Sequence, residues 1–269
     1  MPIFIPFAFK ASGYDSDAQA FINAVVGGGD TLTDTEKDAV NTLVVTLKSD
    51  GIWTSMLAIY PFVGGTASSH KWNLKDPQNT DAAYRLTFSG GFTHSSSGVA
   101  PNGTNTFANT HLQPDNHQTL GDRHFSFYSV TANTSTGYEF GGGNGLQNVL
   151  ITRYGTGNMY SGFSAYTQGS NTSSTGFYIA NIGSPSGTQI ISKNGGATEY
   201  SNTGRSDNVS LNTDVFMFAD NRSTAGSNPI EYSSKASAFA SFGDSLSSTE
   251  RSDFYNAVQA FQTTLGRQV

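Results

Sequence analysis

The chain has 269 residues and a net charge of −6, and only 13% of its residues are charged, against 30 Gly, 19 Phe and 12 Tyr. No two Lys or Arg residues are adjacent, and the isoelectric point is about 5.2; the chain lacks the clustered cations that phosphate-backbone binding needs, which argues against a nucleic-acid partner. The absence of cysteine excludes disulfides and thiolate metal sites, and no apolar run approaches the roughly 20 residues that cross a bilayer.

Residues 1–13 form an apolar arm in which Ile3, Ile5, Phe7 and Phe9 alternate with Pro2, Phe4, Pro6 and Ala8. It lacks the basic n-region of a secretory signal, and its prolines interrupt the short apolar stretch, so synthesis in a reducing cytoplasm is expected. Proline cannot donate to a central ladder, which leaves an edge strand on the chain's own sandwich or an arm that docks on a neighbour. Pro2, Ile3, Phe4, Ile5, Pro6, Phe7 and Phe9 are the expected docking residues.

Residues 14–66 read as a helical segment packed on a β-sandwich. A helix over 16–26 puts Phe21, Ile22, Val25 and Val26 on one face, and a second begins at the capping box Thr33/Glu36 and runs through Val40, Leu43, Val44 and Leu47 to Gly51. Gly51 permits the left-handed turn that ends it. The spacing of Ile52, Trp53, Met56, Leu57 and Tyr60 predicts a further helical turn or two before Pro61.

Residues 67–245 change to a period of two. Strands are expected over 84–93, 124–130, 137–141, 147–154, 159–164, 176–182, 188–193, 209–211, 215–219 and 236–242, short and bounded by Gly, Asn, Ser and Thr, the pattern of an all-β sandwich. Asn194-Gly195 suits a hairpin turn that needs two positive φ angles. Residues 246–269 form a C-terminal helix of the same domain, capped by Ser247 and Glu250 and striped by Phe254, Val258, Phe261 and Leu265.

Catalytic constellations are missing. A sandwich glycosidase wants carboxylates alternating on one strand, and none alternate here; Glu139 alone reads as a solvent-facing strand residue. His111, Asp115 and His117 lie close in sequence, but in a proline-containing loop without the rigid spacing of metal ligands. Gly183-Ser184-Pro185-Ser186-Gly187 and Gly141-Gly142-Gly143-Asn144-Gly145 join strand to strand, so neither opens the helix that a nucleophile elbow or phosphate cradle requires. No enzymatic activity is expected; a polysaccharide-degrading enzyme is the weakest alternative. For binding, Asp220, Asn221 and Arg222 after a strand offer oxygens and amides suited to a sugar or Ca²⁺, and Trp72 could stack on a sugar ring, although an Asx turn and a buried seam residue are the plainer readings. No cofactor is expected, calcium included.

The stretch YPFVGGTASSHKWNLKDP (60–77) resembles phage-encoded virion proteins with a concanavalin A-like, laminin-G-type sandwich. YRLTFSGGFTH (84–94), PNGTN (101–105), FMFADN (216–221), FASFGD (239–244) and, most specifically, FYNAVQAFQTTLGRQ (254–268) resemble the same family. The resemblance covers most of residues 40–269. It implies a mainly β, concanavalin A-like jelly-roll sandwich with an N-terminal helical plug and a C-terminal helix. It further implies a non-enzymatic structural protein displayed on a virion, made in the host cytoplasm, present in many copies or as a homo-oligomer, and contacting other virion proteins as a capsid decoration or tail appendage. The alternative is a receptor-binding lectin for a host surface glycan.

Overall fold

A computed structural model describes residues 13–143, 148–183, 187–205, 207, 213–223 and 226–269. Two antiparallel sheets lie face to face. The first runs in the order Thr198–Asn202, Thr188–Lys193, Gly176–Gly183, Arg123–Ser129, Ser237–Gly243, Gly98–Ala100 and Thr93–Ser95, with Met56–Tyr60 also paired to Ser237–Gly243. The second runs Tyr166–Ser170, Asn158–Gly162, Val149–Ile151, Phe140–Gly141, Phe216–Met217, Phe107–Asn109 and Thr87–Ser89. Alternate residues of both point into a shared core that includes Phe125, Phe127, Phe140, Met159, Met217 and Phe242.

Three helices cover the outer face of the first sheet. Ser16–Gly27 is capped by the Asp15 carboxylate, and Asp34–Ser49 and Ser248–Thr264 each carry a complete capping box, Thr33 with Glu36 and Ser247 with Glu250. Their apolar stripes meet Tyr128, Phe177, Ile179 and Phe239, the outward residues of that sheet, in a second core. No helix among the described residues is long and apolar enough to cross a membrane. Among the described residues no long helix covers the outer face of the second sheet, the open sheet of the sandwich.

The run 56–60 is a strand and not a helical turn. Gly51 takes φ 76° at the helix end, a short 3-10 turn Ile52–Ser55 follows, and the chain then pairs antiparallel with Ser237–Gly243. The difference has a physical cause: Ile59 enters the helix-side core while Ala58 and Tyr60 enter the inter-sheet core. A strand buried on both faces is apolar throughout and shows no alternation. Asn73 seals its outer edge, accepting from the Ile59 N–H at 3.0 Å and donating to the Leu57 carbonyl at 3.1 Å. The sandwich therefore begins before residue 67.

Elsewhere the expected strands are trimmed or split. The 84–93 run breaks at Gly90 (φ 84°) into Thr87–Ser89 on one sheet and Thr93–Ser95 on the other. The 215–219 run stops after Met217 because Phe218 takes φ 65°. Asn194 and Gly195 have φ 51° and 66°, the hairpin geometry expected of them. The arm residues Pro2 to Phe9, the 209–211 run and the turn at 184–186 lie outside the described residues.

Candidate functional site

The sequence-derived site residues do not form one surface. Trp72 is buried at 6% exposure in the helix-side core, with its ring against Gly28, so it turns no face outward for a sugar. Asp220 and Asn221 are buried as well, in a two-residue strand paired with Pro229–Ile230. Asn221 works as a clamp: its Nδ2 donates to the carbonyls of Asp214 (2.9 Å) and Gly226 (3.1 Å), and its Oδ1 accepts from the Asn228 N–H (2.8 Å). Arg222 alone reaches solvent, with 35% of its side chain exposed.

Glu139 is the clearest departure from expectation. It is fully buried, not solvent-facing, and pairs at 3.0 Å with the equally buried Lys235. Its carboxylate also accepts from Ser233 Oγ (2.8 Å) and from the Thr152 N–H (2.5 Å), so every oxygen is partnered and none is offered to a substrate. His111 contacts Thr87 and Asp81, His117 Nδ1 accepts from the Gln113 N–H, and Asp115 pairs with Arg123. Among the described residues no group of three or more His, Cys, Asp or Glu could hold a metal ion. Ser241 Oγ lies 3.2 Å from His124 Nε2, but His124 Nδ1 donates to the Asp244 carbonyl and all of these side chains lie inside the fold, out of reach of a substrate.

An unpredicted site stands on the open sheet. Its outward residues include Val149 and Ile151, and the register places Ile151 opposite Tyr160 and Gly162 opposite Tyr166, so all four share the outer face. Tyr138, Tyr154, Tyr160 and Tyr166 gather over Val149 and Ile151 as a separate small cluster. With Ile151 the tyrosines line a cleft of about 230 Å³. Tyr154 and Tyr160 meet edge to face at 6.0 Å, Tyr160 and Tyr166 at 5.4 Å, and the Tyr138 and Tyr166 hydroxyls hydrogen-bond at 3.1 Å. Tyr154, Tyr160 and Tyr166 remain partly exposed.

Charge sits at one end of the cleft. Arg222 donates from both Nε (3.1 Å) and Nη2 (3.0 Å) to Oδ2 of Asp220. Burial pushes the Asp220 carboxyl up to about 6 against the opposing pull of Arg222, and Oδ1 has no partner among the described residues. Burial also raises the Tyr138 and Tyr166 hydroxyls. The Tyr138 N–H donates to the Glu231 carbonyl at 3.0 Å, one residue from Ile230, which pairs with Asp220, and this brings the Asp220–Arg222 pair to the Tyr138 end. Gly141 makes the close approach feasible: a Cβ there would lie 2.7 Å from Asp220 Cα. The cleft thus presents aromatic rings, protonated hydroxyls and one oriented guanidinium. That set suits the apolar C–H faces and the hydroxyls of a saccharide.

The sequence did carry a signal for this face. VLI at 149–151 is apolar on both alternating sets, and an antiparallel strand of that kind must turn one apolar set outward unless another layer covers it.

No family model matches the chain, and no curated protein matches it. Among solved structures it is similar to domain 4 of AbnA, a GH43 extracellular arabinanase from Geobacillus stearothermophilus, in complex with arabinotriose. That similarity has 13% identity and a TM-score of 0.46 over 74% of this chain and 98% of the other, a level that assigns no ligand to this chain.

Proposed function

We propose that this chain is a non-catalytic, concanavalin A-like virion module that recognises a host-surface saccharide on the outer face of its open sheet. One observation carries the recognition half: a tyrosine cleft on the sheet face that none of the described helices covers, where a monomeric sandwich ordinarily turns polar residues to water. The virion setting and the jelly-roll class rest on the resemblance of residues 60–77, 84–94 and 254–268 to phage virion sandwiches. Non-catalytic use is supported by Glu139, whose carboxylate is held in a buried pair with Lys235, and by Asp115, which pairs with Arg123.

A glycan array with the intact protein, followed by titration of the best hit, tests the recognition half. Saturable binding that Tyr160→Ala removes without lowering the melting temperature is the expected result. Absence of saturable binding to every bacterial surface glycan tried sinks it. Detecting the chain in purified phage particles by mass spectrometry tests the setting.

A further inference from the structure

We propose that the saccharide is acidic, carrying a carboxylate that is received by Arg222 at the Tyr138–Tyr166 end of the cleft. This rests on the saccharide reading and deepens it.

Arg222 is prepared for such a contact. Asp220, wholly buried, holds the Nε–Nη2 edge of the guanidinium through the single oxygen Oδ2. Among the described residues nothing else accepts from the Arg222 guanidinium, so the Nη1–Nη2 edge is open to a second acceptor, and this edge matches a planar carboxylate with two parallel N–H donors. A surface arginine ordinarily loses side-chain entropy when its fork is fixed; here a buried partner has already fixed it. A second arginine reaches the same tyrosine, since Arg205 Nη2 donates to the Tyr166 carbonyl at 3.3 Å.

The charge around the site is compatible with an anion. The cleft lining of Tyr138, Ile151, Tyr154, Tyr160 and Tyr166 contains no acid. Of the two carboxylates that act on Arg222, Asp220 and Glu231, the first is already engaged by it. Much of the acidity behind the net charge of −6 sits on the opposite side: Asp34, Glu36, Asp38, Glu250 and Asp253 belong to helices over the other sheet. A neutral sugar needs only the rings and hydroxyls, so an oriented guanidinium at the rim is the feature that it would leave unused.

Titration of the intact protein with oligosaccharides of equal length separates the cases: oligogalacturonate as the carboxylate probe, a sulfated dextran oligomer as the sulfate probe, and a neutral gluco-oligosaccharide. Charge-assisted hydrogen bonds support an expected preference of roughly 10- to 100-fold for the carboxylate probe over the neutral one, reduced by added salt. Arg222→Gln should bring that ratio to near unity, and Arg222→Lys should restore only part of it. Tyr160→Ala should remove binding of all probes. Equal wild-type affinity for neutral and carboxylate probes overturns the inference and leaves the saccharide reading standing. A stronger response to sulfate than to carboxylate overturns the carboxylate assignment, and a preference that survives in a folded Arg222→Gln removes Arg222 from the role. Absence of binding to any probe overturns both the inference and the reading beneath it.

Discussion

Buried charge in this protein is partnered in two ways. Lys235 and Glu139 neutralise each other at 3.0 Å, with neither exposed. Arg267, by contrast, directs all its donors to neutral acceptors: Nε to Gln262 Oε1, Nη1 to the Phe62 and Ser96 carbonyls, and Nη2 to those of Pro61 and Ala238. Burial without a carboxylate pushes it down to about 10. Lys235→Met would strand the Glu139 carboxylate and should cost about 3–5 kcal/mol. Adding Glu139→Gln should recover most of that loss in denaturant melts; a single variant as stable as wild type would show that the pair contributes nothing. Two histidines set an acid limit. Burial lowers His124 to about 4 and His70 to about 3, so the folded state keeps both neutral while the unfolded chain protonates below its ordinary 6.5. Stability is undiminished above that value and is lost as pH falls from 6.5 toward 4 for His124 and toward 3 for His70, at up to roughly 1.4 kcal/mol per unit per histidine. His124→Gln should flatten the fall in melting temperature between pH 6.5 and 4, and an unaltered slope refutes the assignment. None of this was legible in the sequence. Glu139 and Lys235 are 96 residues apart, and Tyr138-Glu139-Phe140 alternates as a surface strand would.

The elements were more legible than their pairings. Capping boxes and the 3.6-residue stripe located the helices Asp34–Ser49 and Ser248–Thr264 within a residue or two, because those signals are local. The hairpin pair Gly176–Gly183 and Thr188–Lys193 was equally plain. Missed strands such as Phe107–Asn109, Tyr166–Ser170 and Thr198–Asn202 are polar or short; the first is held by Phe216–Met217 far along the chain, and the other two pair with the strands just before them, Asn158–Gly162 and Thr188–Lys193. The C-terminal helix is part of the fold. Phe254 meets Phe177 edge to face at 5.2 Å, and Phe261 meets Phe239 at 6.3 Å and the Arg267 guanidinium at 5.6 Å. Phe261→Ala should cost about 3–5 kcal/mol, read as a drop in the denaturation midpoint. An unchanged midpoint would mean that the helix is dispensable. Leu265, expected to close the stripe, is only half-buried.

Helix layer, first sheet and open sheet stack in that order, so the helices and the tyrosine cleft lie on opposite sides of the sandwich. The tyrosine cleft faces outward from the open sheet. The chain enters on the far side, where Tyr14 Oη donates to Asp38 (3.0 Å), the Asp15 N–H donates to Asn41 Oδ1 (2.7 Å), and the Asp15 carboxylate pairs with Lys48 (2.6 Å); all three partners lie on the helix Asp34–Ser49. Tyr14 and Asp15 are therefore held at the helix layer, on the side of the first sheet away from the tyrosine cleft. If residues 2–9 are the docking element and not part of the sandwich, removing residues 1–9 should leave the fold and its melting temperature intact. If those residues are the docking element, the truncated protein also keeps its saccharide binding but no longer incorporates into particles when supplied in trans to a deletion phage. Wild-type incorporation of the truncated chain would end the docking assignment. Loss of cooperative unfolding would instead place residues 1–9 within the sandwich's own stability.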